Sequence, residues 1–155
     1  MTKTTKTAMT KKKIISTIKL GLLSLMVLSL FAAVTSCSRD EEKYDVTHKV
    51  IYKAEVSAGS NITSVQFNEP GREPKPAVSI SGTTWVSPEI TRTEKLSVGT
   101  AFPLTALADV KATGATISST LKVQIYVDGI LKKEEVVTGQ NLKAIAQYDI
   151  EYKVN

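Results

Sequence analysis

The chain holds one cysteine, one histidine and one tryptophan in 155 residues. Each scarcity removes a class of chemistry. A single cysteine, Cys37, has no partner for a disulfide, so a domain built from this chain must rest on packing and strand pairing. One histidine and no second thiol cannot make the usual zinc set. A Ser-His-Asp site would have to use His48, and no Gly-x-Ser-x-Gly turn exists to present a serine. Calcium needs a cluster of acidic oxygens, but Asp109, Asp128 and Asp149 stand apart. Glu134 and Glu135 would point to opposite faces of a strand and cannot form a simple pair. There is no glycine-rich phosphate loop and no dinucleotide signature. The expectation is a non-enzymatic protein with no catalytic residue, no cofactor and no metal. His48 is expected to be a partly exposed side chain at the start of the first strand.

Charge of one sign is missing as well, once the leader is set aside. The formal charge is +5. Six of the 20 basic residues (Lys3, Lys6, Lys11, Lys12, Lys13 and Lys19) lie in the first 36 positions, where no acid occurs. Fourteen bases then face 15 acids over Cys37–Asn155. Lys and Glu are interleaved, as in Lys132-Lys133-Glu134-Glu135, which is a solvated face. Nothing argues for a nucleic-acid partner.

The basic stretch is followed by Leu20–Val34, apolar apart from Gly21, Ser24 and Ser29. A positive region and then a short apolar region is the layout of a secretory signal. A spanning helix needs about 20 apolar residues, and this run is shorter. Met9 is an alternative start. Val34-Thr35-Ser36-Cys37 resembles the bacterial lipobox. The resemblance implies diacylglycerol on the Cys37 sulfur, cleavage before it and acylation of the new amino terminus. Several acyl chains make a stable anchor, at about 0.8 kcal/mol per buried CH₂. The alternatives are an uncleaved signal anchor with an incidental thiol and a secretory signal cleaved elsewhere. Ser38 stands where an aspartate would suggest inner-membrane retention. Ser38-Arg39-Asp40-Glu41-Glu42 resembles the short acidic tract after the lipidated cysteine of surface-exported lipoproteins of Bacteroidetes-type bacteria; the other reading is a solvated tether. The expected location is the outer membrane, on the cell surface, with the periplasmic face as the alternative.

The expected organisation is a leader over 1–36, a lipidated tether over 37–45 and one domain over 46–155. In the domain a two-residue period dominates and no helical period of useful length appears. Val50, Tyr52, Ala54 and Val56 alternate with Ile51, Lys53 and Glu55. Ala58-Gly59-Ser60-Asn61 turns into Ile62–Phe67. Pro70–Pro76 is a loop, since its three prolines lack ladder donors. Ala77–Ile80 and Thr83–Val86 are short strand candidates, followed by Ile90–Val98 and Phe102–Ala108. Ile117, Ser119, Leu121, Val123, Ile125 and Val127 share a face. Asp128-Gly129 then predicts a type I′ hairpin turn between Leu121–Val127 and Ile130–Val137. Ala144, Ala146, Tyr148, Ile150, Tyr152 and Val154 face inward in the last strand. About seven or eight short strands argue for an all-β, Ig-like antiparallel sandwich. No Cys…Trp…Cys pattern supports an antibody-type domain. Trp85 is expected in the core or between the sheets, a binding-face aromatic being the other reading.

Ile125-Tyr126-Val127-Asp128-Gly129-Ile130, with Glu135 and Gly139 downstream, resembles the late hairpin of small Ig-like membrane-anchored proteins. These include the MmpS transport-accessory family and similar lipoproteins of Bacteroidetes-type bacteria. The looser likeness runs from Val50 to Asn155, through Gly59, Ile62–Phe67 and Trp85. The resemblance implies the sandwich fold and, as one reading, an accessory subunit of a membrane export system. The chain departs from that family in its lipobox, its lack of paired domain cysteines and its Thr84, where a proline often precedes the tryptophan. The other reading is a surface domain binding a protein or glycan partner. Its recognition candidates are the loops Pro70–Pro76 and Asp109–Thr116, which could equally be surface loops of no consequence. Asn61-Ile62-Thr63 matches a glycosylation sequon, but reads as a turn asparagine feeding a strand.

Overall fold

The computed structural model describes residues 42–154; the leader, Cys37 and the acidic tract up to Glu41 lie outside the described residues. Nine strands make two antiparallel sheets: β1 (Lys43–Val56), β2 (Asn61–Phe67), β3 (Val78–Ser79), β4 (Thr84–Val86), β5 (Ile90–Ser97), β6 (Ala101–Thr113), β7 (Thr120–Val127), β8 (Ile130–Thr138) and β9 (Asn141–Lys153). The all-β sandwich is as expected. The count exceeds seven or eight because β3 and β4 are two- and three-residue pieces.

The first sheet is organised by β1. Val50 pairs with Ile90 on one edge and Val127 on the other. So β4 and β5 lie end to end along one side of β1, with β7 and then β8 on the other. The second sheet runs β3-β2-β6-β9. Strand β1 starts at Lys43, so Lys43, Tyr44 and Asp45, read as the end of the tether, are paired to Ser97, Leu96 and Lys95. His48 is accordingly well inside a strand and not at its start.

The core lies between the sheets. From the first come Val50, Tyr52, Ala54, Val56, Leu121, Val123, Ile125 and Val127, all 5% exposed or less. At about 1.5–3 kcal/mol for each fully buried Val, Leu or Ile, β7 alone is a large part of the driving force. The second sheet contributes Ile62 and Val65 on β2, Val110 on β6 and Leu142, Ile150 and Tyr152 on β9, with alanines between them: Ala106, Ala108 and Ala112 on β6, and Ala144 and Ala146 on β9. Both sets belong to one buried cluster between the sheets, packed as protein interiors are. Trp85 is half-buried at the margin, its ring 5.3 Å from that of Phe67, which agrees with a core or inter-sheet place.

Two expectations are corrected. Strand β6 continues past Ala108 to Thr113, so Asp109–Thr113 is not loop; the inward alanines carry the alternation, and alanine is a poor strand marker. Only Gly114–Ser119 remains as the turn, and Ile117, placed on the inner face of β7, sits in it at 81% exposure. The Asp128-Gly129 turn is as expected, with φ of 51° and 78°. A bulge between Ile125 and Tyr126 adds one residue to β8.

The two edges of the first sheet share a device. Arg92 and Glu94 on β5, and Lys133 and Glu135 on β8, occupy inward positions two residues apart and are ion-paired within each strand. Charges on the inner face of an edge strand make it a poor template for pairing with another chain.

Candidate functional site

The segment between β2 and β3 is the most structured irregular part of the domain. It begins at Asn68, which is 4% exposed. Its Oδ1 accepts hydrogen bonds from the Leu107 amide at 2.8 Å and the Tyr52 hydroxyl at 3.1 Å. Its Nδ2 donates to the carbonyls of Arg72 and Thr105, each at 3.0 Å. One side chain thus fastens the loop to β6, to β1 and to itself. Tyr52 also donates to the Asn68 carbonyl at 3.0 Å, and burial pushes its phenol far above its ordinary pKa.

The following residues keep the loop down. Pro70 is fully buried. Gly71 donates to Thr105 at 3.0 Å and has φ 73°, and a Cβ there would sit 2.6 Å from Leu104 Cδ2. Glycine is the residue this close approach requires. Lys75 N donates to the Phe67 carbonyl at 3.0 Å, and Gln66 Nε2 to the Lys75 carbonyl at 3.0 Å. The proline-rich stretch is therefore a pinned platform that presents Gly71–Ser79, all exposed.

Its charges are arranged around Glu69. Lys75 Nζ lies 3.2 Å and Arg72 Nε 3.4 Å from that carboxylate. The hydrogen bond from Lys75, with help from Arg72, holds Glu69 below the usual carboxylate range. Glu69, Arg72, Glu73 and Lys75 line an open hollow of about 210 Å³. The hollow offers both charge signs and exposed backbone, which suits recognition of a polar surface. The second loop candidate, Asp109–Thr116, is mostly strand. There Asp109 is ion-paired with Lys143 at 3.3 Å, and Ser60 Oγ accepts from Ala115 N at 3.1 Å.

His48 and Asp128, far apart in sequence, meet. His48 Nδ1 is 2.6 Å from Asp128 Oδ2. Asp128 Oδ1 accepts from the Lys49 amide at 2.9 Å, and Asp128 N donates to the Lys49 carbonyl at 2.8 Å. The turn residue thereby clasps the hairpin onto β1. Partial burial alone would raise the Asp128 carboxyl; the Lys49 amide and the His48 ring outweigh it and hold it below its ordinary value. The His48 ring meets Tyr152 edge-on at 4.7 Å. Burial pushes the Tyr152 phenol up to about 12, and its hydroxyl has no hydrogen-bond partner among the described residues. Together these contacts close the hairpin turn against β1 and β9.

Glu134 bonds Gln124 Nε2 at 2.6 Å while Glu135 pairs with Lys133, so the two glutamates do lie on opposite faces. Asn61 Oδ1 accepts from Gly82 N at 2.7 Å and Ser81 Oγ at 3.1 Å, which is a structural role. Among the described residues no three His, Cys, Asp or Glu side chains are grouped to hold a metal. Cys37 lies outside the described residues. Asn68 was missed by sequence reasoning; its only signal is a polar residue closing the alternation of β2 just before Glu69-Pro70-Gly71.

Fold and loop together define a β-sandwich carrying a pinned polar platform on its second sheet. No protein-family model matches the chain, and no curated protein matches it.

Proposed function

We propose that the protein is a lipid-anchored outer-membrane lipoprotein whose sandwich is a non-enzymatic binding module on the cell surface. The observation that carries this reading is Val34-Thr35-Ser36-Cys37 after a basic and then apolar leader, with the first strand beginning only six residues later at Lys43. A lipidated Cys37 would hold the domain at a membrane by its amino-terminal end. The binding role is supported by the Asn68–Pro76 platform: ordering costs little on binding where the loop is already pinned. Its mixed charges suit a protein or glycan partner.

The test of the anchor is labelling with a radioactive fatty acid in the wild type and in Cys37→Ala. Label in the wild type alone is expected; equal label in the variant overturns the anchor. Protease shaving of intact cells then reads surface display. A photo-crosslinker at Glu73 tests the platform. A discrete adduct lost on Arg72→Glu with Lys75→Glu is expected, and adducts unchanged by that double substitution refute the loop as the binding face.

A further inference from the structure

Resting on the Cys37 anchor just proposed, we infer that the end of the sandwich formed by Tyr44 and the Val98-Gly99 turn is seated in the lipid interface. The occupant of this surface is the bilayer that carries the anchor.

Five residues separate Cys37 from Lys43. Six residue steps, fully extended, span about 20 Å. The first pair of β1 and β5 is Lys43 with Ser97, and Val98 is the next residue. An anchored Cys37 therefore holds Val98 within about 20 Å of the lipid, plus the width of one strand pair. At such a tether length the local concentration of bilayer seen by the turn is on the order of millimolar or above, so a small apolar contact suffices.

The composition of that end fits the interface. Turns favour Gly, Asn, Asp, Ser and Pro. Gly99, with φ 79°, supplies the backbone requirement, yet the turn opens with Val98, which is 66% exposed. Tyr44, opposite Leu96, is 43% exposed. Tyrosine, apolar in its ring and polar at its tip, is a residue of membrane interfaces. Thr100 and Ala101 continue the exposed stretch. Lys43, Lys95 and Lys153 are balanced there by Glu42, which accepts the Tyr44 hydroxyl at 2.8 Å, and by Asp45 and Glu151, so the end has no excess charge of one sign. Contact is therefore apolar and indifferent to anionic lipid.

Val78, Val86, Leu131, Val136 and Ile145 are exposed elsewhere, and two further exposed apolar side chains at turns supply controls. The Asp128 turn meets β1 at Lys49, so Ile130, 59% exposed, stands about 20 Å further along the strand direction. Ile117, 81% exposed, lies in the Gly114–Ser119 turn at the other end. Strand β9, 13 residues long, puts that end about 40 Å away.

The experiment uses the chain's lack of other thiols. Cysteine is introduced singly as Val98→Cys, Ile130→Cys or Ile117→Cys into the full chain, lipidated in a bacterial host. Each is labelled with an environment-sensitive fluorophore and reconstituted in vesicles of phosphatidylethanolamine and phosphatidylglycerol with brominated acyl chains. At least twofold quenching at position 98 is expected, with under 1.2-fold at 130 and 117, unchanged in phosphatidylglycerol-free vesicles. Equal quenching at all three, or stronger quenching at 130 or 117, overturns the inference. So does protection at position 98 that persists in the lipid-free Cys37→Ala chain, which would point to contact between copies. Flotation separates the two readings. A chain with Cys37 intact that fails to float refutes the anchor itself, whereas one that floats with position 98 unquenched refutes only the seated end.

Discussion

Replacing Asn68 by alanine should loosen the platform and destabilise the domain together, and the size of the effect follows from the bonds removed. Four side-chain hydrogen bonds are lost, to Leu107, Tyr52, Arg72 and Thr105. Two losses are softened: the Tyr52 hydroxyl keeps the Asn68 carbonyl, and the Thr105 carbonyl keeps Gly71 N. The Leu107 amide is left with no replacement partner among the described residues, whereas the Arg72 carbonyl belongs to an exposed residue within reach of water. A net hydrogen bond is worth about 1 kcal/mol, and an orphaned buried group costs about 1–3 kcal/mol. The sum is about 3 kcal/mol. With about 2.1 cal/mol/K of unfolding entropy per residue over residues 42–154, the melting temperature should fall by about 12 °C. Circular dichroism on heating measures the global part. Limited trypsin digestion measures the local part, because Arg72 precedes Glu73 and is cleavable once the loop lifts. Cleavage after Arg72 should become at least tenfold faster. A melting shift under about 3 °C with an unchanged cleavage rate would show that Asn68 is not what pins the loop.

Gly114→Ala should cost more than about 3 kcal/mol in urea titration, since its Cβ would lie 2.1 Å from the Gly139 carbonyl oxygen, a backbone atom that cannot swing aside. Asp128→Asn keeps the turn chemistry but loses the charge on the clasp. Because the folded carboxyl is held below its ordinary 3.8, its contribution is complete above about pH 4 and disappears as pH falls through the lower folded value. The stability gap between wild type and variant should therefore narrow below pH 4, and a gap that widens there contradicts the clasp. Tyr152→Phe removes an unpartnered buried hydroxyl and should leave stability unchanged or raise it by up to about 1 kcal/mol. Its phenol is raised from 10.0 to about 12, so the wild type should lose stability between pH 10 and 12, a loss that Tyr152→Phe reduces.

The parts of the fold legible from the residues are those where one face is strongly apolar. Leu121, Val123, Ile125 and Val127 announce β7, and Asp128-Gly129 fixes the hairpin register. Strand β9 is equally plain from Ala144 to Val154. The second half of β6 is not legible because Ala108 and Ala112 are weak strand markers, and its pairing to β2 and β9 is long-range. The start of β1 at Lys43 is not legible because Tyr44, Val46 and His48 alternate only weakly among polar residues. Its early part is held by pairing to β5, a contact nearly fifty residues away in sequence. Of the site, the proline-rich loop could be placed from its prolines alone. That it is pinned could not, since the pin is a long-range bond set centred on Asn68. The His48–Asp128 contact was likewise invisible, 80 residues apart.

The double pairing of β1 also sets how the domain bears load. Over Lys43–Val50 it is bonded to β5, and over Val50–Val56 to β7. A pull on Lys43 along the strand direction strains both ladders in shear, so many hydrogen bonds share the force. A pull at right angles to the strand, lifting Lys43 away from β5, opens the same ladder one pair at a time from its Ser97 end. The domain should therefore resist drag along its long axis far better than peeling at its first residues, and its mechanical strength is a property of direction.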